Sequence, residues 1–163
     1  MAATLHLLCG KIASGKSTLA KALSDAPSTV LISEDAWLAA LFKDQLNTGA
    51  DYLRCAERLR SAMAPHVIEL LKAGCSVVLD FPANTVAQRA WMKDLLTQTQ
   101  APHTLHHLVA DDALCLARLK VRNAGGAHPF VVDEALFRRF TAQFEPPQPE
   151  EGFSVREHVQ SAL

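Results

Sequence analysis

The run Gly10-Lys11-Ile12-Ala13-Ser14-Gly15-Lys16-Ser17, followed by Thr18, has the spacing GxxxxGK[ST]. Glycine at Gly10 and Gly15 lets the backbone curl until several amide N–H groups and a helix N-terminus face one anion. Lys16 then supplies a point charge to the outer phosphates of a polyphosphate. The Ser17 hydroxyl is the hard oxygen that a magnesium ion bridging those phosphates takes as a ligand. The motif therefore implies ATP with Mg2+, contacted by Gly10 through Thr18. Its flanks agree: the apolar run Leu5 to Cys9 reads as a strand, and Ser17 to Ser24 reads as a helix with Leu19, Ala20 and Leu23 inward.

Two carboxylates stand where such a loop needs them. Asp80 ends the continuous apolar strand Cys75 to Leu79, at the sheet edge where a carboxylate holds magnesium directly or through water. Asp35 follows the β-branched strand Thr29 to Ile32 at the same edge, in position to take the proton from an attacking hydroxyl. Glu34 competes with Asp35 for that role. Each carboxylate also has a plainer use as a helix cap or turn residue. Phe81 follows Asp80 where water-activating ATPases carry Glu, and no guanine-reading Asn-Lys-x-Asp run occurs. Transfer to a bound acceptor is favoured over hydrolysis.

Arg118 and Arg122 lie four apart on a helix capped by Asp111, so they share a face, and Gly125-Gly126 follows. The expectation is a short helical lid over residues 115–132 whose guanidinium forks reach the transferring phosphoryl group; a solvated helix face is the alternative. Arg89, beyond the Asp80 loop, and Trp37, on the helix after Asp35, are candidate acceptor contacts. Leu38 and Leu41 read as core. His66, His103, His106 and His107 have no metal-ligand spacing and read as structural or exposed.

The elements that must position these groups alternate. Ser33 to Asp35 caps a helix reaching about Lys43. Apolar residues at Tyr52, Ala56, Leu59, Met63, Val67 and Leu70 make one helical stripe from Asp51 to Ala73, which Pro65 should kink or split. Thr85 and Gln88 form a capping-box pattern opening a helix to about Thr97. His103 to Ala110 reads as a strand, Val132 to Phe144 as a helix, and Phe153 to Val159 as a short final strand. Strands alternating with helices predict a mostly parallel central sheet covered on both faces, an α/β three-layer α/β/α sandwich.

The chain has 163 residues, enough for one core, so residues 1–163 read as a single ATP-binding domain. A net charge of -1 with no long Lys or Arg run gives no footprint for duplex nucleic acid or an anionic membrane. Cys9, Cys55, Cys75 and Cys115 are too scattered for a zinc site or disulfide framework. No run is long enough to cross a bilayer, and the start lacks the basic and apolar signature of a signal peptide, so a cytoplasmic location is expected.

With these residues placed, the chain resembles the small P-loop kinases that include zeta toxin, chloramphenicol phosphotransferase and the kinase domain of polynucleotide kinase. The resemblance rests on GKIASGKS at Gly10 to Ser17, ISED at Ile32 to Asp35, VVLDF at Val77 to Phe81, RLKVRN at Arg118 to Asn123 and FEPPQPEEGF at Phe144 to Phe153. It implies an adenylate-kinase-like P-loop NTPase core, ATP and magnesium, a base at Asp35, metal work at Asp80, and lid arginines at Arg118 and Arg122. Where the polynucleotide members carry an Arg three residues after the base, this chain has Leu38, which argues for a small-molecule acceptor. A nucleotide-driven regulatory switch and a toxin-like sugar-nucleotide kinase are the competing readings.

Overall fold

In the computed structural model, which describes residues 2–126 and 131–161, each predicted strand is present. They are β1 (Leu5–Cys9), β2 (Thr29–Ser33), β3 (Ser76–Asp80), β4 (His103–Val109) and β5 (Val155–Val159). The sheet order is β2-β3-β1-β4-β5 and every pairing is parallel. The helices are α1 (Lys16–Ser24), α2 (Glu34–Phe42), α3 (Gly49–Lys72), α4 (Val86–Thr99), α5 (Asp112–Gly125) and α6 (Glu134–Ala142). All strands run one way, so their C-terminal ends share one edge.

Strand alternation assigns the core. Leu5, Leu7 and Cys9 of β1 join Val77, Leu79 and Leu105 beneath Leu59, Met63 and Val67 of α3 and Met92, Leu95 and Leu96 of α4. Leu8, Val78 and Leu108 face the other way, onto Ala20 of α1. β1 is thus buried on both faces, as expected for a central parallel strand. Beyond the end of β4, Ala110, Cys115 and Leu119 pack against Val132 and Phe137, docking α6 on α5.

Three expectations need correction. Pro65 sits inside α3 without dividing it. Pro has no N–H to give to the carbonyl of Ser61, but the apolar stripe on either side, with Leu59, Met63, Val67 and Leu71 all buried, keeps both halves in one unbroken helix. At Thr85 the capping box is half made: the Thr85 side chain accepts from Gln88 N, while Gln88 Oε1 turns to Asn84 N at 2.9 Å. Leu41, read as core, is 55% exposed on α2.

His106 was expected to be structural or exposed; it is 4% exposed and central to a chain of rings across three strands. His6 Nδ1 lies 3.0 Å from His106 Nε2, and His106 Nδ1 lies 2.9 Å from His158 Nε2. Burial holds His106 down to about 4 and lowers His6 and His158 as well. Neutral rings therefore link β1, β4 and β5 at neutral pH, each contact carrying one N–H.

Arg89 belongs to the fold. It is fully buried, and its guanidinium is consumed within the protein. Nε and one terminal nitrogen grip Glu151 at 2.8 and 3.2 Å, and the rest donate to the carbonyls of Ala83 at 2.8 Å and Pro146 at 3.4 Å. Four of its five N–H groups are spent in these bonds and the side chain has no exposed surface, so it does not serve as the acceptor contact expected of it. What it does is bolt the Pro-rich segment before β5 to the loop leading into α4. Removing one partner of a buried pair strands the other charge, so Glu151→Ala should cost about 3 kcal/mol of stability in a urea titration. A loss below about 1 kcal/mol would show that the pair is not the bolt described.

Candidate functional site

The loop Gly10 to Ser17 rises from the end of β1 and runs into α1. Two of its backbone conformations are left-handed, Ala13 at φ 62 and Gly15 at φ 107. At Gly10 the requirement is space: a Cβ there would stand 2.9 Å from the carbonyl oxygen of Leu108 and 2.6 Å from Ser14 Oγ. Gly10 N–H donates to Asn84 Oδ1 at 2.9 Å, which anchors the loop to the segment after β3. Sequence reasoning missed Asn84. Its only signal was the turn composition of Pro82-Ala83-Asn84-Thr85.

Residues of the loop divide by direction. The Lys11 side chain turns away, donating to Ala110 O at 3.1 Å and Asp112 Oδ1 at 2.7 Å, and so ties the loop to the start of α5. Ile12 and Ala13 pack against the α5–α6 cluster. Ser14 is buried, with its Oγ lacking a hydrogen-bond partner. Ser17 and Thr18 are exposed at the first turn of α1.

Lys16 Nζ donates to the carbonyls of Gly10 at 2.6 Å and Lys11 at 2.8 Å, which hold the ammonium across the loop. Burial pulls Lys16 down to about 8, against the charges of Asp80 and Asp35, which work to raise it. The Ser17 hydroxyl donates to Asp80 Oδ2 at 3.3 Å, bringing together the two oxygen groups expected to serve magnesium. Ser33 and Asp80 are register partners on β2 and β3, which sets Asp35 and Asp80 at the same edge of the sheet.

α5 brings its arginines to this edge. Arg118 Nη1 donates to the carbonyl of Ser14 at 3.2 Å, so this side chain lies on the phosphate loop. Arg122 is half-buried, which lowers it, while the charge of Asp35 raises it; its Nε has no hydrogen-bond partner. Arg118 thus meets the loop, and Arg122 lies within the electrostatic reach of Asp35. Of the expected lid, α5 through Gly125 forms one continuous helix and Gly126 closes it at φ 65, while residues 127–130 lie outside the described residues.

Glu34, Asp35 and Trp37 stand in the first turns of α2, capped by the Ser33 side chain on Ala36 N. Trp37 is half-exposed. Glu34 is 1% exposed and is held by the hydroxyl of Tyr52, which donates to Glu34 Oε1. Burial first, then the charges of Asp35 and Asp80, push Glu34 up to about 7, against the Tyr52 bond and Arg60.

This shift fixes a sign. An unfolded Glu ionises near its ordinary 4.5, whereas folded Glu34 keeps its proton to about 7. The contribution is complete below 4.5 and is lost as pH rises through 7, on the order of 3 kcal/mol in all. Glu34→Gln cannot lose that proton, so its stability relative to the native chain should rise between about pH 4 and pH 8. Urea midpoints at the two pH values measure it, and equal differences at both would contradict the shift.

Comparison with known proteins bears on the family and the fold. Residues 5–147 match the family described as an AAA domain. No curated protein matches the chain in sequence. Among solved structures, a sugar kinase from Janibacter sp. is similar with a TM-score of 0.63 at 19% identity, over 98% of this chain and 86% of that one. Kti12 of Chaetomium thermophilum in complex with ADP-AlF3 gives 0.70 at 14% identity, over 96% and 88%. The Mycobacterium tuberculosis APS kinase CysC in complex with AMPPNP and APS gives 0.65 at 17%, over 99% and 91%. With its phosphate loop at the end of a central parallel strand, the chain belongs to the AAA-domain family and has the fold of the small P-loop kinases.

Proposed function

We propose that the protein is an ATP-dependent phosphotransferase that moves the γ-phosphate of ATP to a hydroxyl of a small molecule. The observation that carries this reading is the single electrostatic cluster formed by Lys16, Asp80, Asp35 and Arg122 beside the phosphate loop. In it, the carboxylate of the base candidate acts electrostatically on both the lysine of the phosphate loop and a guanidinium of α5.

The loop amides and Lys16 bind the polyphosphate and orient its terminal group. Asp35 accepts the proton of the acceptor hydroxyl as its oxygen bonds to the γ-phosphorus. The bond from that phosphorus to the β–γ bridging oxygen breaks, and ADP leaves with the electron pair. Arg118 and Arg122 spread the charge on the transferring oxygens, where planar donor forks fit. The donor set of Ser17 and Asp80, two hard oxygens in hydrogen-bond contact, suits magnesium. When bound, that ion neutralises phosphate charge.

Several features favour a small acceptor. α2 leaves Trp37 and Leu41 exposed as apolar side chains and offers no basic track, and Leu38 is fully buried where an arginine would be needed for a polynucleotide phosphate. The Janibacter structure is named as a sugar kinase and the mycobacterial one holds APS, both small acceptors for those proteins.

The test is incubation with ATP, magnesium and a panel of hydroxylated nucleosides, sugars and antibiotics, following ADP release and acceptor mass, with Lys16→Ala as the blank. A phosphorylated acceptor is expected, and ADP without one would instead favour a hydrolytic switch. Asp35→Asn should keep ATP affinity within about twofold and lose at least about a hundredfold in transfer rate. Normal transfer by Asp35→Asn would remove it as the base.

A further inference from the structure

Among the polar groups that the mechanism above does not use is the pair of Glu34 with Tyr52, the chain's single tyrosine. Its placement calls for a reason. Glu34 is one residue ahead of the base, in the first turn of α2, and is almost fully buried. One carboxyl oxygen takes the Tyr52 hydroxyl from α3, and the other, Oε2, is buried without a hydrogen-bond partner. The charged groups around it are Asp35 on α2, Asp80 on β3 and Arg60 on α3, so two of three are carboxylates. Burying a carboxyl there is costly, and a leucine would pack at the same position without that cost.

A leucine lacks direction. α2 has nine residues, and only two of its side chains are buried, Glu34 and Leu38. They are four apart and so share the face that docks on α3. Leu38 contributes non-directional packing, which tolerates rotation of the helix about its axis. The Ser33 cap adds one bond of 3.3 Å to the backbone. The Tyr52 hydroxyl is therefore a directional tie between α2 and α3, and it acts on the turn that carries Asp35.

We propose that Glu34 is a positioning residue for Asp35: clasped by Tyr52, it fixes the first turn of α2 on α3 and so holds the base in the fields of Lys16 and Arg122. The inference rests on the reading of Asp35 as the base. It explains a buried carboxyl that touches neither phosphate nor acceptor, and it assigns Tyr52 a part in turnover from a position on a different helix.

The clasp and the base are separated by four variants in the ADP-release assay described above: Glu34→Leu, Glu34→Gln, Tyr52→Phe and Asp35→Asn. Glu34→Leu and Tyr52→Phe keep the packing and delete the tie, and each should lower kcat at least about tenfold with KM for ATP within about twofold. Glu34→Gln keeps an oxygen for the Tyr52 hydroxyl and should recover kcat to within about threefold of the native chain. Native kcat in Glu34→Leu or Tyr52→Phe overturns the positioning role while leaving Asp35 as the base. Native kcat in Asp35→Asn overturns the base and the proposed mechanism with it.

A second readout does not need turnover. Replacing the one tyrosine by 3-fluorotyrosine gives a single fluorine resonance from residue 52 in the full-length protein. That line should move when Asp35→Asn is introduced, and Asp35→Asn should no longer move it once Glu34→Leu has cut the clasp. A line unmoved by Asp35→Asn, or moved equally with and without Glu34, overturns the proposal even if no acceptor in the panel is phosphorylated.

Discussion

A strand flanked by parallel neighbours on both sides, and buried on both faces, presents its C-terminal end as a place where backbone amides can gather around an anion. β1 is that strand, and Gly10 stands at its end with Leu108 O and Ser14 Oγ too close for any side chain. The rest of the molecule serves this point. Asn84 takes the Gly10 amide, Gln88 and Glu145 hold Asn84 by its backbone, and Arg89 binds the neighbouring Ala83 carbonyl to Glu151. The phosphate loop is thus braced by residues drawn from more than half the length of the chain.

The second consequence is electrostatic. Gathering all strand ends on one edge brings Glu34, Asp35 and Asp80 together, and their mutual repulsion is offset by Lys16 on the phosphate loop and by Arg122 from α5. Charge balance at this edge therefore requires α5 to be docked, which the cluster of Cys115, Leu119 and Phe137 and the Lys11–Asp112 ion pair provide. Burial then divides the groups: it pulls Lys16 down to about 8 and pushes Glu34 up to about 7.

The fold was legible because its signals are local. GxxxxGK[ST] spells a loop whose geometry its own glycines dictate, and apolar runs ending at Asp80 and before Asp35 put those carboxylates at strand ends without reference to anything distant. What stayed hidden depends mostly on partners far apart in sequence. Arg89 looked like an ordinary helix residue because Glu151 is 62 positions away. His6 and His106 are 100 apart, and no spacing rule joins them until the strand order is known. Glu34 was visible as a carboxylate, but its use depends on Tyr52 facing it from the next helix. Pro65 misled for the opposite reason: a strong local rule was overridden by the long buried stripe around it.

The Gln160 amide nitrogen bonds Val109 O at 2.8 Å, and its side-chain oxygen lies 3.3 Å from where a Cβ on Gly15 would be. His158, two residues earlier, closes the ring chain that begins at His6. A loop encoded near position 10 is therefore completed by residues encoded near position 160. During synthesis, a chain that has emerged only as far as α5 holds every letter of the motif and lacks β5, the tie of Glu151 to Arg89 and the neighbour of Gly15. The surroundings of the phosphate loop are in this way finished only when the last strand is paired, which makes them a property of the whole sheet rather than of its first half.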